Sequence, residues 1–189
     1  MGPEMSQFLS GMKKTMEQVV MPNLTDRFAQ EQAGIVAATL GFLERIHDKV
    51  FHYELLENHL YKNLLNEVIA VLDGATPPQH EVAVTLKALR AHVASDPVGS
   101  EMYLRPYHYV RGANETLKEH LCTLIRNQPE LPGPVRESFD TLLRPFFREL
   151  EVRERAWVKP LGFDAKADEL PDIEELLYCD GKLRLPGAG

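Results

Sequence analysis

Cysteine is scarce. Cys122 and Cys179 are the two in 189 residues, far apart in the chain and in no Cys-x-x-Cys pair. A thiolate zinc site and a dithiol redox motif are therefore unsupported, which leaves a single disulfide as the alternative to free thiols. Two such thiols fit a reduced, cytoplasmic setting, and Cys122 itself is expected to be a small buried hydrophobe. Positive charge is also short. Lys and Arg number 21 against 28 Asp and Glu, a formal net charge of −7. A chain with that balance has no electrostatic grip on nucleic acid or on anionic lipid. Residues 1–50 carry Lys13, Lys14, Arg27, Arg45 and Lys49 against six acidic residues, so they form no basic recognition helix.

No apolar run reaches the length of about 18 residues that a membrane span needs. No basic segment followed by an apolar one opens the chain, so no signal peptide is expected. Gly-x-Ser-x-Gly, Gly-x-Gly-x-x-Gly and the phosphate-binding Gly-x-x-x-x-Gly-Lys-Ser/Thr are all missing. His80-Glu81 is not followed by the second histidine of a zinc protease motif. Strand-like alternation is missing too. Its nearest approach is Lys182-Leu183-Arg184-Leu185, four residues near the C-terminus.

What is there is helical periodicity. Met5, Phe8, Leu9, Met12, Met16, Val19 and Val20 recur at three- and four-residue spacing, which predicts an amphipathic helix over 5–20 ended by Pro22. Asn23 and Thr25 are candidate N-caps for the next segment. That segment, 26–72, has no proline, and its only glycines are Gly34 and Gly41. One unbroken helix over it would be about 70 Å long. A compact domain of this size is about 40 Å across. The segment therefore breaks, near Gly34–Gly41 or around His47-Asp48, or else the molecule is elongated or dimeric. Further helices are predicted over 79–94, over 100–127 with an interruption at Pro106, and over 135–158 with an interruption at Pro145. A short amphipathic turn at 172–178 follows, and an apolar terminal turn of that kind is expected to dock on its own domain. The sum is an all-α helical bundle of about five helices, with one very long or kinked central helix. The bundle is assigned to 1–158 and an irregular acidic tail to 159–189.

Three sets of residues carry candidate chemistry. The long segment is apolar on more than one side, with Phe28, Ile35, Phe42 and Ile46 on one stripe and Val36, Leu40, Leu43 and Val50 on another. A helix apolar on two faces is central in its bundle or buried in a dimer. This supports the favoured reading: a non-enzymatic bundle that acts through protein contacts as a homodimer or with a protein partner.

The second set is an internal echo. Leu104-Arg105-Pro106-Tyr107-His108 resembles Leu143-Arg144-Pro145-Phe146-Phe147. Proline inside a helix removes a backbone hydrogen bond and kinks it, whereas proline in the first turn starts one. If both were facing kinks, Arg105, Tyr107, His108, Arg144 and Phe147 would line a site for a small anionic, partly apolar ligand.

The third set rests on Glu44-x-x-His47, the i, i+3 spacing that di-iron carboxylate bundles use twice. Here it occurs once. Glu44, His47, Glu54, His108 and Glu115 make up an atypical set for iron or manganese in an oxidase-like site. The competing reading has His47 hydrogen-bonded in the core and Glu44 solvated. His52 and His59 stand seven apart on a face shared with Lys62, Asn63 and Asn66. That face reads as solvent or rim, and no role is assigned to it.

Overall fold

The computed structural model describes residues 4–73, 80–99 and 101–185. Among them the protein is all-α. Seven α-helices run in order: α1 (Met5–Thr15), α2 (Arg27–Ile46), α3 (Val50–Asp73), α4 (His80–Ser95), α5 (Tyr107–Asn127), α6 (Gly133–Val158) and α7 (Ile173–Leu177). The strand content is a two-residue hairpin, β1 (Tyr178–Cys179) against β2 (Lys182–Leu183), antiparallel. Asp180 and Gly181 form its turn, both with positive φ, as a two-residue hairpin turn requires. No helix of the described residues is long and apolar enough to cross a membrane.

The long segment does break, at His47–Lys49, one of the two places the sequence allows. Gly34 and Gly41 remain inside α2. Its N-cap is neither Asn23 nor Thr25. Asp26 caps it, accepting the Ala29 amide at 2.8 Å, while Asn23 donates its amide to the Val19 carbonyl. The two prolines of the internal echo part ways. Pro106 is extended and caps α5, so it starts a helix. Pro145 lies inside α6, which continues through it, and the interruption expected there is absent. α1 is prolonged over Met16–Val20 by a wider π turn, which keeps 5–20 helical as expected.

The chain forms two compact units. The first comprises residues 1–50 and 152–176. In it α1 packs along α2, and Leu9, Ala33, Ala37, Ile46, Ala156, Leu170 and Ile173 are buried. The second comprises residues 51–151 and 177–189. It is a four-helix arrangement of α3, α4, α5 and the greater part of α6. Its core interleaves Leu65, Val68 and Leu72 of α3 with Leu86 and Leu89 of α4, Leu117, Leu121 and Leu124 of α5, and Phe139 and Leu143 of α6. These positions repeat at three- and four-residue spacing, so each helix turns a single apolar stripe to the shared core.

Candidate functional site

The two echo motifs take different local geometries, at the start of α5 and inside α6. Arg105, Tyr107 and His108 are exposed around the start of α5, and the Arg105 guanidinium lies over the Tyr109 ring at 5.2 Å. On α6, Arg144 is exposed beside Glu137, Asp140 and Thr141. Phe146 turns inward and meets Tyr61 edge-on at 4.9 Å, and the exposed Phe147 packs on Phe146. None of Arg105, Tyr107, His108, Arg144 and Phe147 lines the polar cleft or the apolar cavity described below. The reason is local. A proline that starts a helix opens no kink, so the two motifs have different geometry.

The five residues considered for iron or manganese are divided between the two units. Glu44 and His47 belong to the first unit, and Glu54, His108 and Glu115 to the second. His47 is half-buried and donates from Nδ1 to the Glu44 backbone carbonyl at 3.0 Å. Glu54 accepts from the Asn114 side-chain amide at 2.7 Å, and Glu115 from Arg111 Nε at 3.1 Å. Among the described residues no group of three or more His, Cys, Asp or Glu is placed to hold a metal ion.

Glu44 and His47 do line a cleft. It measures about 840 Å³ and lies within the first unit, between the C-terminal end of α2 and the segment 159–174. Its chemistry is largely internal. Lys49 is buried at its wall and donates to Asp48 at 2.9 Å, to Glu174 at 3.0 Å and to the Arg45 carbonyl at 3.0 Å. Those three bonds account for the three donors of an ammonium. Burial pulls the Lys49 pKa down, but the hydrogen bonds and charges of Asp48 and Glu174 outweigh it and hold it above the ordinary lysine value. Lys159 is likewise bound to Asp172 and to the Leu170 carbonyl, both at 2.9 Å. The cleft therefore stitches the acidic C-terminal segment onto α2. Buried Ile173 completes that attachment, consistent with a terminal turn docked on its own chain.

The second unit holds buried polar groups that helical periodicity does not reveal. Lys62 was placed on a solvated face, yet it is 1% exposed and ion-paired to the buried Asp96 at 2.9 Å. Glu57, 2% exposed, receives Lys118 at 2.7 Å. Asn58 donates to Asn114, which in turn donates to both the backbone and the side chain of Glu54. Periodicity gave no sign of these contacts, because each partner lies on a different element. The reverse error is Cys122. It is exposed, since the buried stripe of α5 runs Val110, Ala113, Leu117, Leu121, Leu124 and leaves Cys122 on the outer face with Glu115 and His108.

The largest unexplained feature is apolar. On α1 and the turn after it, Met5, Phe8, Met12, Val19 and Val20 are exposed. On α2, Phe28, Ile35, Val36 and Leu43 are exposed too. Each is between 37% and 68% accessible. The spacing puts them on stripes along two helices that pack together. Nine large apolar side chains are thus left substantially in water. Comparison with known proteins adds no relative: no family model, no curated protein and no solved structure matches the chain.

Proposed function

We propose that this chain acts without catalysing a reaction, through helical protein contacts, and that its α1–α2 hairpin pairs with the same hairpin of a second copy. The observation that carries this reading is the exposed apolar side chains of α1 and α2. Leaving this much apolar surface in water is unfavourable, and pairing with a second copy removes it from water. A second copy suits this face by charge as well. Over residues 4–46, Glu4, Glu17, Asp26, Glu31 and Glu44 stand against Lys13, Lys14, Arg27 and Arg45, a net of −1 in a chain of −7. Two such faces meet with little repulsion, as a two-fold interface between identical surfaces requires. The two free, exposed thiols Cys122 and Cys179 fit a reducing, cytoplasmic setting.

The test is to place a charge in each stripe. Phe8→Glu and Ile35→Glu are already exposed positions, so each variant is expected to keep its helix content and melting behaviour while losing self-association. Variants that associate as the unchanged chain does would remove the hairpin from the interface.

A further inference from the structure

Within the second unit a cavity of about 290 Å³ opens beside α3. That is the small end of the range for ligand pockets, about 300–1,000 Å³. Leu55, Met102, Leu183 and Leu185 give it apolar walls, and β2 supplies one side of it. Its ionisable lining is one-sided. His52, His59 and Lys62 face it, and no carboxylate lines it, although acids outnumber lysine and arginine in the chain. Lys62 is 1% exposed, and its counter-ion Asp96 lies outside the lining. An ammonium has three donors, so a wall carrying it suits a second acceptor. His52 is held through Nδ1 by the Tyr178 hydroxyl at 2.8 Å, so β1 fixes the ring that β2 helps to enclose. Asp96 compensates the buried charge in part, and an acceptor in the cavity would satisfy a further ammonium donor.

We propose that this cavity binds a small apolar carboxylate, its hydrocarbon part against Leu55, Met102 and Leu183 and its carboxylate at Lys62, with His52 and His59 at the rim. The site is independent of the α1–α2 hairpin and of the Arg105 and Arg144 motifs.

The experiment titrates octanoate and, separately, octanol into the full chain by calorimetry. Octanoate is expected to bind, and octanol to bind at least tenfold more weakly, because it has the same tail and no charge for Lys62. Met102→Trp fills the apolar wall and is expected to abolish octanoate binding. Lys62→Met is expected to weaken octanoate at least tenfold and to leave octanol unchanged. If removing the buried lysine prevents folding, the octanoate–octanol comparison on the unchanged chain still decides the role of charge. Absence of octanoate binding, equal affinity for octanol, or unaltered octanoate binding by a folded Met102→Trp variant would each overturn the proposal.

Discussion

Lys62 of α3 and Asp96, just past the end of α4, form an ion pair at 2.9 Å with almost no access to water. Burial pulls the Lys62 pKa below the ordinary lysine value, and the hydrogen bond and charge of Asp96 act against that pull. Removing one member of a buried pair leaves the other charge uncompensated, which costs about 3–5 kcal/mol. Asp96→Ala is therefore expected to destabilise the protein by about that amount in urea unfolding. Lys62→Met combined with Asp96→Leu should recover most of the loss, since an apolar replacement of both partners removes the stranded charge. A double-mutant cycle on the four proteins measures the coupling directly. Additive losses would show that the two residues do not act as a pair.

Stability is also expected to fall with acid from the histidine range downward. Burial lowers the pKa of His92, the charges of Lys62 and His120 lower it further, and Asp96 opposes them. Burial lowers His120 too, against the charge of Glu119. A histidine whose folded pKa lies below its unfolded value of about 6.5 stabilises fully above that pH. It loses the contribution as pH falls through the folded value. Urea midpoints should thus drop between pH 7.5 and 5, and the drop should shrink in His92→Gln/His120→Gln. A second loss follows at lower pH. The hydrogen bond from Arg155 holds Asp164, and that from Lys159 holds Asp172, below the ordinary carboxylate value. Their stabilisation is present above that value and fades as pH drops through the depressed one.

Asn114 is the hinge of the polar network in the second unit. It accepts from Asn58 at 2.8 Å and donates to the Glu54 carbonyl at 2.9 Å and to its carboxylate at 2.7 Å. Each buried polar group left without a partner costs about 1–3 kcal/mol. Asn114→Ala is expected to cost about 3 kcal/mol in chemical unfolding, more than Thr116→Ala two residues along the same helix, whose hydroxyl bonds to the Gly112 carbonyl on the surface. Equal losses would show that the network adds nothing.

The hairpin gives a fourth prediction. Gly181 has φ of +73°, and no other atom crowds the position of a Cβ there. The cost of Gly181→Ala is therefore conformational alone, about 1–2 kcal/mol. Because β2 walls the small cavity, the variant should also weaken octanoate binding while leaving the four-helix core folded. Unaltered affinity would detach the hairpin from the site.

Much of the helix plan is legible in the sequence because α-helices announce themselves locally. The stripes of α3, α4 and α5 recur at helical spacing, and the limit on helix length alone demanded the break that falls at His47–Lys49. What escaped prediction depends on context. Pro106 and Pro145 sit in matching tetrapeptides, yet one precedes a helix and the other lies within one. Nothing in four residues distinguishes those outcomes. Asp26 outcompetes Asn23 and Thr25 as a cap because it sits one residue before the helix, where its carboxylate reaches the Ala29 amide. Asp180-Gly181 is a hairpin signal that two-residue strands made easy to overlook. Lys62 reads as solvated because charged groups usually are, and Glu57 and Asn114 carry no periodic signal of burial. Their burial is set by partners on other elements, at Asp96, Lys118 and Asn58. The exposed stripes of α1 and α2 were visible as apolar periodicity, but not whether the chain itself would cover them.

That last point is where the account is most exposed. Sedimentation equilibrium of the untagged chain over a hundredfold range of concentration measures it without any variant. The self-pairing hairpin predicts a species of twice 21.4 kDa that dissociates on dilution. A single species of 21.4 kDa at every concentration would contradict it.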